Sequence, residues 1–319
     1  MTRFLVLLLF CAGANSGIAQ SWPAKPVKIV APFAPGGSAD TLGRIVAQKL
    51  SESLKENFLV ENRPGAGGVI GSEAVAKAAP DGYTLLVSGV ASHAVAPALP
   101  RGTPYDPVKD FTHIALFGGP PAVLVVNPDV PAKDLKAFVA LLKKEPDKYS
   151  YGSPGNGTHG QLVAELFKHL AGVKMQHVPY KGASNAMADL IAGHIQAAST
   201  TLSTAAAQIH GGKARALAIS TAKRLPDYPN VPTYAEMGYK DLVATIWFSL
   251  SGPAGMPADI VERLNAEVRK ALDAPDTRER LRPEGIEPNG LTAAEFTAFV
   301  ASEVKRWAPI VKASGAKND

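Results

Sequence analysis

Two glycine-rich segments carry the spacing most suggestive of chemistry. They are Phe33-Ala34-Pro35-Gly36-Gly37-Ser38-Ala39-Asp40 and Ser153-Pro154-Gly155-Asn156-Gly157-Thr158. Each follows a strand-like run, Lys28 to Pro32 and Tyr149 to Tyr151. Each precedes a helical period, with Leu42, Ile45, Val46 and Leu50 on one face after the first and Leu162, Leu166 and Phe167 after the second. Glycine frees the backbone to turn, and Ser38 or Asp40, like Thr158 or Asn156, can cap the helix that follows. Free N–H groups and the positive end of the helix dipole then point into one small space, which suits a carboxylate. An ordinary strand-to-helix turn uses the same residue types. One such loop in each half of the chain tips the reading toward paired anion cradles.

Other chemistries have weaker support. A third glycine-rich turn, Asn62-Arg63-Pro64-Gly65-Ala66-Gly67-Gly68, is neither G-x-G-x-x-G nor a Walker loop, so nucleotide phosphates are not indicated. The seven histidines form no H-E-x-x-H and no short metal-type pair, so no metal or cofactor is expected. No G-x-S-x-G elbow is present, and no catalytic residue is assigned. A Ser-His-Asp triad is defined by geometry rather than order, which leaves an exported hydrolase open as an alternative.

The elements around these loops alternate. Strand-like "KIVAPF", a helix around 39–54, "FLVENRPG", a helix around 68–79 and "YTLLVSG" are followed by a second series. It comprises "AVLVVNP", a helix over 133–144, "YSYGSPGNG", a helix over 159–171, "MQHVPYKG", a helix over 184–193 and "ARALAIS". Such alternation predicts parallel α/β layers, formed twice, with ligands at the carboxyl ends of the strands and in the cleft between the units. Two amphipathic surface helices close the chain. Ile260, Val261, Leu264, Val268 and Leu272 share one face, and Phe296, Phe299, Val300, Val304, Trp307 and Val311 share the other. Trp247, just before a Gly/Pro-rich segment, suits a crossing between the two units.

The amino terminus has Arg3, an apolar run from Phe4 to Ala12 and small residues to Ala19, the pattern of a secretory signal peptide over residues 1–19, with the mature chain starting near Gln20. The apolar run is shorter than a membrane span. Bulky Phe10 before Cys11 argues against lipidation, and no cysteine follows Cys11, so the mature chain is expected to be free of disulfides and monomeric. The formal charge of +5 is dispersed, without a basic block or interleaved aromatics, which excludes nucleic acid as the expected partner.

From Trp22 to Pro309 the chain resembles the Bug family, the solute-binding proteins of tripartite tricarboxylate transporters. The resemblance rests on "PFAPGGSAD", "ENRPGAGGVIGSEAVAKAAPDGYTLL", "YDPVKDFTHIAL", "GSPGNGT", "VPYKGASNAMADLIAGHI", "ARALAISTAKRLPDYPNVPTYAEMGY" and "WFSLSGPAGMP", in that order. It implies a periplasmic-binding-protein fold of the Venus-flytrap, type II kind, with two α/β lobes around a central cleft. Residues 20–122 and 248–319 would form the first lobe and 123–247 the second. It also implies a small mono-, di- or tricarboxylic acid as ligand, and membrane components of such a transporter, or alternatively a sensor, as partner. By the same resemblance Val90, Ser92 and His93 come near the ligand from the loop after the third strand, and Tyr180, Lys181 and Asp189 from the second lobe. The chain departs from the family at Gln161, where many relatives have His, and at Gln196, where many have Asp. The stretch "AASTTLST" leaves Ser199 and Thr200 in place of a more acidic one. These losses of titratable groups point away from an amino-acid ligand and toward a simple carboxylate.

Overall fold

The computed structural model describes residues 22–242, 246–288 and 290–314; the expected signal segment, with Cys11 and the boundary near Gln20, lies outside the described residues. The chain opens with β1 (Val27–Ala31), α1 (Ser38–Leu54), β2 (Phe58–Asn62), α2 (Val69–Ala76), β3 (Thr84–Gly89) and β4 (Phe111–Gly118). It crosses into β5 (Ala122–Val126), α3 (Leu135–Lys144), β6 (Ser150–Ser153), α4 (His159–Ala171) and β7 (Gln176–Pro179). α5 (Ala183–Ile191), β8 (Ala197–Thr201), α6 (Leu202–His210) and β9 (Arg215–Ile219) complete this series. It then returns through β10 (Phe248–Pro253) to α7 (Ala258–Asp273), α8 (Pro275–Leu281) and α9 (Ala293–Ser314).

Two five-stranded sheets result, in the orders β2-β1-β3-β10-β4 and β7-β6-β8-β5-β9. The expectation of parallel layers needs one correction. β10 runs antiparallel to both β3 and β4, and β5 antiparallel to both β8 and β9. Both odd strands are the ones that enter from the other lobe. A crossing strand reaches its sheet from the cleft side and therefore runs against its neighbours.

Layers on both sides of each sheet explain the apolar runs in the strands. Val27 and Ile29 face a core shared with α1 and α7, while Val30 faces the opposite core with Val75 and Tyr105. In the second sheet Ala122, Leu124 and Val126 face α3 and α4, and Val123 and Val125 face α5 and α6. The period of two thus feeds two cores per lobe. α7 buries the five apolar residues that its spacing predicts. α9 does more than cover one lobe: Phe296, Val300, Trp307 and Val311 form a cluster with Val90, Trp247 and Leu162, the last from α4 in the opposite lobe.

Candidate ligand-binding site

α1 and α4 start in matching ways. Gly37 is the N-cap of α1 and makes no side-chain cap bond, and the first helical bond runs from the Thr41 N–H to the Gly37 carbonyl. The N–H groups of Ser38, Ala39 and Asp40 precede that bond and have no partner within the helix. Thr158 is the N-cap of α4, again without a side-chain cap bond. There the first helical bond joins Leu162 N–H to Thr158 O, which leaves the N–H groups of His159, Gly160 and Gln161 ahead of it. The Thr158 hydroxyl donates instead to Gly155 O at 2.6 Å.

The expected capping by Ser38 or Asp40 takes a different form. Asp40 Oδ2 reaches back to the Gly36 N–H at 3.0 Å, and its carboxylate is held by Arg44 Nε and by Asn62 Nδ2 at 2.9 Å. Burial raises the Asp40 pKa, but Arg44, the Gly36 N–H and Asn62 together outweigh it and hold the carboxyl below the ordinary value. The positive backbone angle falls at Gly36 (φ 79), while Gly37 is extended at φ −86. In the second lobe Gln161 Oε1 accepts from the Gly157 N–H at 2.7 Å, and Gly157 has φ 69. The departure at Gln161 is therefore part of the loop's own scaffold.

Both helix starts open on one cavity between the lobes, at the carboxyl ends of β1, β3, β6 and β8, with a volume of ≈ 50 Å³. Phe33, Gly37 and Ser38 line it from the first loop, Val90 and Ser92 from the segment after β3, Thr158 from the second loop, and Thr200 from β8. Every side chain in its wall is uncharged or a histidine. A second space of ≈ 230 Å³ lies beside it at the mouth, where Phe33 meets Gly67, Gly155, Asn156, Tyr180 and Lys181.

The remaining expected residues lie elsewhere. The Ala34 N–H donates to Lys181 O at 3.2 Å, and the Pro35 carbonyl accepts from Ser184 Oγ at 2.7 Å, so this part of the loop forms the seam between lobes, with Gly36 beside Ser184. Ser153 is buried within its loop, with its hydroxyl on Gly155 and 2.7 Å from His177 Nε2. Asp189 accepts from the Tyr180 hydroxyl at 2.6 Å and fixes that ring at the mouth without lining either space. The carboxylate adds to burial in pushing the Tyr180 pKa up to about 12, which keeps the phenol a donor. Ser199 is buried beside Thr200 but outside the wall. His93 is fully buried under the floor among Tyr105, Phe111 and His113, bonded through Nδ1 to Ser92 Oγ at 2.9 Å. Gln196 binds Ser150 at the far end of β8, so the change there leaves the cavity untouched.

Several wall residues escape the sequence reading: Gly89, His159, Thr201, Ile246 and Phe248. His159 directly follows the second loop, which was the available signal. Its ring is buried, both nitrogens lack a hydrogen-bond partner among the described residues, and burial, aided by the Arg306 charge, drives its pKa down to about 3. The lobes also bond directly: Ser38 Oγ lies 2.5 Å from Thr201 Oγ1 and contacts Ser203 Oγ. At the crossing, Glu303 Oε2 accepts from the indoles of Trp247 and Trp307, each at 2.9 Å, and Arg306 binds Oε1 at 2.7 Å.

Residues 42–316 match the model of the tripartite tricarboxylate transporter family receptor, TctC. The chain belongs to the TctC family. Protein BugT of Bordetella pertussis is 37% identical over 322 residues, covering 99% of each chain. Among solved structures, R. palustris Rpa4515 with adipate has a TM-score of 0.89 at 33% identity, covering 93% of this chain and 99% of that one. MatC (Rpa3494) from Rhodopseudomonas palustris with bound malate has a TM-score of 0.86 at 33% identity, covering 91% and 100%. The two-lobed TctC fold described above is thus that of periplasmic binding proteins, a solute-binding receptor family.

Proposed function

We propose that this chain is an exported, periplasmic solute-binding protein. It captures a small carboxylate between its lobes and delivers it, without chemistry, to the membrane components of a tripartite tricarboxylate transporter. One observation carries the reading: the first turns of α1 and α4, whose leading N–H groups have no partner within the helix, line one cavity with no ionised side chain in its wall. Backbone donors and two helix dipoles satisfy a carboxylate there without an arginine or lysine. The adipate and malate in the two R. palustris structures support the same ligand class. Phe33, Gly37, Ser38, Val90, Ser92, Thr158 and Thr200 contact the ligand in this reading, and Tyr180, Lys181, Gly155 and Asn156 guard the mouth.

A thermal-shift screen over organic acids, amino acids and sugars tests it. A ligand at 100 times its dissociation constant adds about 2.7 kcal/mol of apparent stability. Stabilisation by an acid, with that acid recovered unchanged after incubation, is expected. Stabilisation by a sugar alone, or conversion of the acid to product, would overturn the reading. Intact-mass measurement of periplasmic material is expected to place the mature start at or near Gln20.

A further inference from the structure

Between Leu281 and Ile286, both buried in the core of the first lobe, the chain reaches across to the second lobe. The short turn Arg282–Glu284 packs against α6. Arg282 Nε lies 3.8 Å from Asp227 Oδ2, and a Cβ on Gly285, which follows the turn at φ 66, would stand 2.9 Å from Leu225 Cδ1 and 3.0 Å from Pro121 Cδ. This seam is separate from the ligand cavity and from the space at the mouth, since residues 282–285 line neither.

Glu284 and Tyr228 come together in the seam. Glu284 Oε2 and the Tyr228 hydroxyl are both buried and without a hydrogen-bond partner among the described residues. The Glu284 carboxylate is close enough to add to burial and to Asp227 in pushing the Tyr228 phenol up to about 12. Burial pushes the Glu284 carboxyl up to about 7, against the pull of the Arg280 guanidinium from α8. His210, at the end of α6, stacks on the Tyr228 ring with centroids 5.1 Å apart. An ionised carboxylate with one oxygen out of water and no donor on it is costly to keep, and a proton removes that cost.

We infer that the turn 282–285 is a proton-operated latch between the lobes: it seats beside Tyr228 while Glu284 carries a proton and is released when Glu284 ionises, so that acid favours the closed form. The turn belongs to one lobe and Tyr228 to the other, so parting of the lobes at this seam returns the carboxyl to water and to its ordinary value of 4.5. A carboxyl that holds its proton more tightly in the closed form contributes fully to closure below pH 4.5 and loses that contribution as the pH rises through about 7. Glu284 is only partly buried, and screening by water limits the effect to roughly a tenfold change in the closing equilibrium between pH 8 and pH 5.5. The latch acts on the seam whatever occupies the cavity, and it tunes closure to the acidity of the surroundings.

Small-angle X-ray scattering of the ligand-free mature chain at pH 8 and pH 5.5 tests this. The radius of gyration is expected to fall toward acid in the wild type. Glu284→Gln, a neutral side chain of the same shape, is expected to give the compact, acid-like radius at both pH values. His210→Phe keeps a ring on Tyr228 without the imidazole and is expected to respond as the wild type does. In the wild type, the side-chain carboxyl ¹³C signal of Glu284 is expected to titrate roughly one pH unit or more above an ordinary glutamate, a readout that decides the matter even if a variant fails to fold. A radius indifferent to pH, a response kept in Glu284→Gln or lost in His210→Phe, or a Glu284 signal that titrates in the ordinary carboxylate range overturns the latch.

Discussion

Asp40 and Gln161 hold the same place in the two lobes. Each is the third residue of its helix, and each sends a side-chain oxygen back to the N–H of a glycine with positive φ two residues before the helix begins, Gly36 at 3.0 Å and Gly157 at 2.7 Å. The reach-back takes up the glycine N–H and leaves those of the first turn free. The two cradles differ in one respect: the first is locked by a charge and the second by an amide.

That difference predicts an asymmetric response to acid. Because the Asp40 pKa is depressed in the folded chain, its contribution is present above the ordinary value of 3.8 and lost as pH falls through the lower folded value. Gln161 has no such dependence. Asp40→Asn is expected to lower stability at pH 7 by roughly 1.5–3 kcal/mol, the worth of hydrogen bonds to a charged group, and to flatten the fall below pH 4. Melting temperatures of both proteins from pH 7 to pH 2.5 check this; parallel curves would refute it.

At the mouth the two lobes approach most tightly at Gly67. A Cβ there would stand 2.4 Å from the Asn156 carbonyl across the cleft, and Gly67 has φ 63. Gly193 has φ 80 and open space around it, so it bears the same conformational cost without the approach. Gly67→Ala and Gly193→Ala should each lose about 1 kcal/mol of ligand-free stability. Only Gly67→Ala should weaken carboxylate binding, by about tenfold or more, since the closed state must part to admit the methyl group. Equal affinities in the two variants would remove the steric argument.

Ser38 is one direct bolt between lobes, through Thr201 and Ser203. Ser38→Ala is expected to weaken ligand affinity by roughly 0.5–1.5 kcal/mol, one neutral hydrogen bond, and to speed ligand release. Stopped-flow displacement measures it, and an unchanged release rate would place the bond outside the closing step.

Glu303 gathers two indoles and a guanidinium in a buried position. Glu303→Ala strands the two indole donors, while the half-exposed Arg306 turns to water, and is expected to cost about 2–4 kcal/mol. Urea unfolding followed by tryptophan fluorescence gives the value; a loss below 1 kcal/mol would show that water replaces the carboxylate freely.

Much of this arrangement was legible because the signals are local. Strand, glycines and helix at 28–50 and 149–167 announce a turn with free N–H groups, and the heptad-like spacing of Val268 and Leu272 announces a buried face. Non-local relationships were not legible. β8 is too small and polar in "AASTT" to stand out, yet all five of its residues are buried. The direction of β5 and β10 is set by which lobe each enters. His159 gains its significance only when α9, from the other lobe, covers it.

The crossing strands also fix an order of events during folding. All strands of the second sheet come from one continuous stretch, Ala122 to Ile219, whereas the first sheet needs β10 between β3 and β4. Until that late segment arrives, two long strands keep unpaired edges, and their shared partner must be recruited from across the chain, a slow step. Pulse-labelled hydrogen exchange during refolding is expected to protect the amides of β5 to β9 before those of β3 and β4. On that expectation the N-terminal strands, though first in the chain, are sealed last, when residue 248 takes its place between β3 and β4.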